Sequence, residues 1–128
     1  IAALDPEAGV DALFGIGGAP EGVITAAATQ CWGGEMQARL KFTTDEQRAR
    51  AQKMVGGDLD RVFRTDDLDK GSVYFAATGI TQGDLLRGVR YRRGYALTES
   101  IIMRSAEGTI RRIETMHRNA DQADYTPV

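Results

Sequence analysis

Within DALFGIGGAPEGVITAAATQ, residues 11–30, the glutamate Glu21 follows closely on the glycine pair Gly17 and Gly18. A strand, a glycine-rich turn and the start of a helix gather several backbone N–H groups around one small volume. Glycine lets the chain turn freely and lets an anion come close, so that volume suits a phosphate. Glu21, in the first helical turn, gains from the helix dipole, yet its charge repels a phosphate held beside it. A divalent cation resolves the conflict, because Mg²⁺ or Mn²⁺ can bridge a carboxylate and phosphate oxygens. The stretch therefore reads as a metal-and-phosphate corner. The same spacing also describes a tight strand-to-helix turn whose exposed glutamate improves the helix end. That arrangement is the commoner one, and spacing alone leaves both open. GIGGAPEG lacks the glycine spacing of a dinucleotide-binding fingerprint.

Other groups carry weaker signals. Thr78, Thr81 and Asp84 follow an apolar run, where active-site loops often sit, but a turn and a short helix start explain them equally well. Arg90, Arg92 and Arg93 could bind a bisphosphate or an anionic effector, but a solvated hairpin tip explains them better, and no interleaved aromatic residues are there to stack nucleic-acid bases. Arg111 and Arg112 are neighbours on a strand, so they point to opposite faces and form no single clamp. His117 is the only histidine, which argues against zinc. Cys31 lies on the apolar side of the first helix and reads as buried and inert. Trp32, Met36, Met54 and Met103 read as core or interface residues.

Elements must hold these groups in place. Residues 10–14 (VDALF) form a short apolar run ending in glycine, which predicts a buried strand. A helix is predicted from Glu21 to Trp32, with Pro20 at its first position, Ile24, Ala27, Ala28 and Cys31 on the apolar side, and Gly33 and Gly34 as its stop. EMQARLKF alternates like a strand. Thr44 and Gln47 make a capping box for a helix over residues 45–55, ended by Gly56 and Gly57. Thr65 is expected to cap a helical turn in TDDL, and SVYFAATG reads as a fully buried strand. Residues 88–118 hold three strand-like runs broken at Arg93-Gly94 and Glu107-Gly108, a candidate antiparallel meander, and the last ten residues read as a polar tail.

The chain of 128 residues suits one unit of mixed α/β type. A net charge of −2 gives no basic field for nucleic acid, and no stretch is apolar for long enough to be a membrane helix. A lone cysteine fits a reducing cytoplasm. The sequence opens on Ile1 as though in mid-fold, which leads us to expect the back part of something longer.

Three long motifs, GVDALFGIGGAPEGVITAAATQCWGGEMQARL, DDLDKGSVYFAATGITQGDLLRGVRY and TIRRIETMHR, resemble the C-terminal part of class II fructose-1,6-bisphosphatases. These are metal-dependent sugar phosphatases of gluconeogenesis within the lithium-sensitive phosphatase superfamily. The resemblance implies the layered α-β-α-β-α fold, Mn²⁺ or Mg²⁺ as cofactor, Glu21 as a metal ligand and Gly18, with Gly17 beside it, on the substrate phosphate. The strand, acidic helix start and alanine-rich helix are also similar to the second signature of inositol monophosphatases. Members of the family carry a longer N-terminal portion that holds most metal carboxylates and the groups that activate water. This chain is accordingly expected to supply part of an active site and no catalytic residue of its own, and to be inactive in isolation. Its expected partners are fructose 1,6-bisphosphate, the N-terminal segment of the same protein and further copies in a homo-oligomer, in the cytoplasm, without nucleic acid or membrane. The alternatives are a sedoheptulose-bisphosphate or inositol-type phosphatase, or a non-catalytic binding or oligomerisation fragment.

Overall fold

The computed structural model describes residues 2–118. Two 3₁₀ turns, Ala2–Leu4 and Pro6–Ala8, lead into a strap of neither helix nor strand over residues 10–18. Helix α1 follows at Ala19–Trp32, then strand β1 (Gln37–Ala38), helix α2 (Asp45–Val55), strand β2 (Phe63–Arg64) and the one-turn helix α3 (Thr65–Leu68). The chain then builds an antiparallel sheet from β3 (Tyr74–Thr78), β4 (Arg90–Arg92), β5 (Tyr95–Arg104) and β6 (Thr109–Arg118). The mixed α/β class expected from the sequence is the one observed.

Strand β5 organises this sheet. Along one edge it pairs over its whole length with β6, from Tyr95↔Arg118 to Arg104↔Thr109. Along the other edge it takes β4 at its start (Arg92↔Tyr95) and β3 at its end (Tyr74↔Arg104). The hairpins between β4 and β5 and between β5 and β6 turn where the sequence placed them, with Gly94 and Gly108 at positive φ. Because side chains alternate across a strand, Ile101 and Met103 share one face with Phe75 and Ala77 of β3. Helix α1 packs Ala28 and Cys31 onto that face, and Val73 and Leu86 complete the core. Ile101 and Met103 are fully buried there, each side chain contributing about 1.5–3 kcal/mol by leaving water.

Local signals account for the helices. In α1, Pro20 and Glu21 occupy the first turn, and Gly33 closes the last one at φ 80°. In α2, the Thr44 hydroxyl accepts the Gln47 amide at 3.2 Å, as a capping box requires. The Gln47 side chain reaches one residue further back than expected, accepting the Thr43 amide at 3.0 Å.

Several expectations are corrected. Residues 10–14 form no strand: the strap makes no ladder with any described strand, and Leu13 and Phe14 stand 70% and 94% exposed. An apolar run becomes a strand only when another backbone meets its N–H and C=O groups. SVYFAATG is half-buried, since β3 pairs with β5 alone and turns Tyr74, Ala76 and Thr78 away from the core. In EMQARLKF only Gln37 and Ala38 pair, opposite Arg64 and Phe63. Helix α1 starts at Ala19, which makes Pro20 its second residue, and its buried side is Ala26, Ala28, Thr29 and Cys31, with Ile24 exposed. Thr65 sits inside α3, buried, and its hydroxyl accepts the Met36 amide at 2.9 Å, so it ties two segments together and caps nothing. Met103 and Trp32 join the core as expected, whereas Met54 is exposed. The polar tail falls outside the described residues.

Candidate functional site

The candidate corner is built by the strap and the first turn of α1. Gly18 is the N-cap residue, at φ −70° and ψ 161°, and its carbonyl accepts the Gly22 amide at 3.0 Å. The first N–H groups of a helix have no partner inside it, and residues 10–17 make no backbone hydrogen bond among the described residues. Bare backbone donors therefore face solvent at this end of α1.

Glu21 lies in the first turn and folds back over the cap. A β-carbon on Gly18 would overlap Glu21 Oε2 and stand 3.3 Å from its Cδ, while one on Gly17 would meet only Glu21 Cβ, at 3.9 Å. A side chain at position 18 would thus displace the Glu21 carboxylate, although the φ there is open to any residue. The carboxylate is exposed and has no cation partner among the described residues. The structure brings Gly17, Gly18 and Glu21 together, so the three sequence-predicted site residues form one corner.

Magnesium and manganese ask for a full shell of oxygen donors. Among the described residues no group of three or more acidic, histidine or cysteine side chains converges anywhere. The donor set present here is one carboxylate, so these residues do not by themselves fit a metal centre.

The other candidates do not join the corner. The Thr78 side chain lies on the sheet face opposite α1, where its hydroxyl shares a 2.8 Å hydrogen bond with Ser100. Thr81 and Asp84 are exposed on a loop over residues 79–89 that is pinned to the sheet. Gly79 donates to the Glu99 carbonyl at 2.9 Å, the Arg87 amide to the Glu99 carboxylate at 2.9 Å, and Arg112 Nη1 to the Leu85 carbonyl at 2.9 Å. At Gly88 a β-carbon would lie 2.6 Å from Gln82 N, so the loop closes on itself only with glycine there. Sequence reasoning missed Glu99 and Arg112 as loop staples, since both act on residues far away along the chain. Arg90 pairs with Glu114, and Arg92 and Arg93 are exposed at the hairpin, as anticipated. His117 is exposed and bonded to the Thr98 hydroxyl at 2.9 Å. Burial, with the Asp69 charge second, pushes the Cys31 thiol up, so it is the inert core residue expected.

Comparison with known proteins agrees along nearly the whole chain. The family model of bacterial fructose-1,6-bisphosphatase, glpX-encoded, matches residues 1–117. A class 2 fructose-1,6-bisphosphatase of Haemophilus influenzae is 42% identical over 125 residues, covering 88% of this chain and 38% of that protein. The D-fructose 1,6-bisphosphatase class 2/sedoheptulose 1,7-bisphosphatases of two Synechococcus strains, JA-3-3Ab and JA-2-3B'a(2-13), are 41% and 42% identical over 127 residues, covering 89% of this chain and 37% of theirs. The chain thus spans less than two-fifths of the length of these relatives. On the extent of the match and the level of identity together, it belongs to the family of bacterial, glpX-encoded class 2 fructose-1,6-bisphosphatases.

Proposed function

We propose that the protein carrying this chain hydrolyses the 1-phosphate of fructose 1,6-bisphosphate, releasing fructose 6-phosphate and inorganic phosphate. The observation that carries this reading is Glu21 folded over Gly18 at an open helix N-terminus, in a chain of this family. Hydrolysis at a phosphate depends on positioning and on neutralising charge. In this proposal Glu21 would be one ligand of a Mg²⁺ or Mn²⁺ ion held together with groups outside the described residues, and the ion would neutralise phosphate charge. The backbone N–H groups at Gly17 and Gly18 donate hydrogen bonds to the phosphate oxygens. No residue of this corner is assigned to activate water, so the chain orients the phosphate and balances charge. Such a reaction serves gluconeogenesis, in the cytoplasm.

The names of the Synechococcus relatives favour a second substrate, sedoheptulose 1,7-bisphosphate, at the same corner. Both substrates present a terminal phosphate to the same backbone. Among the described residues no helix is long and apolar enough to cross a membrane.

The test is Glu21→Gln in the complete protein, assayed for fructose 6-phosphate release across a Mn²⁺ titration. Loss of this ligand should lower turnover by roughly 100-fold or more, at the upper end of what disturbing a metal site costs, with an unchanged circular dichroism melt. Wild-type turnover at saturating Mn²⁺ would refute the assignment of Glu21.

A further inference from the structure

Glycine inside a helix calls for a reason, because it costs the helix conformational entropy that alanine does not. Most described glycines have one, either a positive φ or neighbouring atoms that a β-carbon would strike. Gly15, Gly17, Gly22 and Gly83 have neither. Three of these four lie in the stretch that makes the phosphate corner, and of the four only Gly22 is inside a helix. A β-carbon there would meet nothing within 4 Å. Its amide already serves α1, donating to the Gly18 carbonyl at 3.0 Å. The fold would therefore take alanine at position 22 and gain stability by it.

The position of Gly22 on α1 indicates what a bare residue serves. Residues three and four apart are neighbours on a helix surface, so Gly18, Glu21 and Gly22 form one patch at the N-terminal end of α1. The same flank continues to Ala26 and Thr29, four and seven residues beyond Gly22, which are 0% and 3% exposed. It faces the body of the molecule at those two residues. At Gly22 it has run past the described side chains and lies next to Gly18, over which the Glu21 carboxylate folds.

Distance along the helix separates the phosphate from whatever rests on this flank. At a rise of about 1.5 Å per residue, Gly22 lies roughly 6 Å along the axis from Gly18. A phosphate that takes hydrogen bonds of about 2.9 Å from Gly17 and Gly18 stays at the cap. The group that reaches Gly22 is then the organic part bonded to that phosphate. In a sugar bisphosphate its first carbon is a CH₂ beside the ester oxygen, which needs no polar partner and can lie against bare backbone.

We propose that Gly22 is a specificity-determining residue: the sugar carbons bonded to the phosphate lie along the Gly22 flank of α1, and the lack of a side chain at that position admits them. This inference rests on the assignment of the phosphate corner and adds to it the path that the sugar takes. Glycine is kept at position 22 at the expense of helix stability, which is the mark of a residue that serves the substrate and not the fold.

The test uses the complete protein with Gly22→Ala, at saturating Mn²⁺, beside Glu21→Gln. Alanine should shift the folding equilibrium about two- to fivefold towards the folded state, so the urea midpoint rises. KM for fructose 1,6-bisphosphate should rise about tenfold or more, the effect of one extra carbon in a fitted site, while the inhibition constant of inorganic phosphate stays within about twofold. A merely structural role cannot give that result, because a strained fold loses stability along with activity. A KM within about threefold of wild type would overturn the proposal, and so would inorganic phosphate weakened as much as the substrate. A lower urea midpoint, or a variant that does not fold, would overturn it too, because another part of the protein would then pack against Gly22. Glu21→Gln keeps the two readings apart. Wild-type turnover in that variant would refute the corner itself, whereas lost turnover there beside an unchanged KM in Gly22→Ala would refute only the role of Gly22.

Discussion

Gly18→Ala separates the geometry of the phosphate corner from the stability of the fold. The backbone at Gly18 is extended, φ −70° and ψ 161°, so alanine meets no conformational strain. Its new β-carbon would overlap Glu21 Oε2 and crowd Cδ at 3.3 Å. The obstacle is the far end of a flexible side chain, so the carboxylate swings away and the helix stays. Alanine is a poorer N-cap than glycine, by about 0.5–1 kcal/mol. Its stiffer unfolded chain returns about 0.4–1 kcal/mol. The two effects nearly cancel, and the denaturation midpoint should barely move. The carboxylate must shift by at least an ångström to clear the methyl, and a misplacement of that size costs about 100-fold in a positioned reaction. The assay is kcat/KM for fructose 1,6-bisphosphate at a series of Mn²⁺ concentrations, beside a urea melt. Gly17→Ala serves as the control, since its β-carbon makes only an ordinary 3.9 Å contact with Glu21 Cβ. It should leave the Mn²⁺ dependence alone and raise KM where the methyl meets the phosphate. Gly18→Ala with kcat/KM within threefold of wild type would refute the reasoning, and so would a loss explained by unfolding.

Two further outcomes follow from the packing and the charges. Ile101→Ala removes a fully buried side chain from between α1 and the sheet, and should cost about 2–5 kcal/mol in a urea melt; a cost under 1 kcal/mol would mean that the site collapses freely. Asp67 is held below the usual carboxylate range, first by the Arg64 amide that it accepts at 2.9 Å and then by the Arg61 guanidinium. A folded-state value below the unfolded one contributes stability above about pH 4 that is lost as the pH falls through the folded value. Asp67→Asn should therefore lower the melting temperature at pH 7 and flatten its acid limb, and parallel curves for the two proteins from pH 7 to pH 3 would contradict this.

The corner is open to solvent on the strap side among the described residues. The three site residues sit at the junction of the strap and α1, and the strap carries Leu13, Phe14 and Ile16 into solvent. Relatives that are more than twice as long as this chain match it at about 42% identity. Fructose 1,6-bisphosphate hydrolysis is accordingly proposed for the complete protein, with this chain holding one side of the phosphate.

What the sequence determined on its own was local. Thr44, Gln47 and Gly56 act within a few residues of one another, and α2 spans the predicted residues 45–55. The Arg93-Gly94 and Glu107-Gly108 turns join strands that are neighbours along the chain, so the β4–β5–β6 meander was legible too. Glu21, Gly17 and Gly18 lie within a single helical turn and its approach, and the corner they make needs no distant contact to form. The tertiary structure alone decided what depends on partners far along the chain. VDALF has the composition of a strand, but no described backbone pairs with it. SVYFAATG has the composition of a buried strand, but it pairs on one side only, so half its side chains face out. Thr65 looks like a cap and instead accepts the Met36 amide, while Glu99 and Arg112 show no sequence signal for the loop they hold. Capping and turn chemistry act between neighbours and can be read in sequence. Edge pairing, burial and staples arise from closures over tens of residues, and their outcome is set only when the sheet and α1 meet.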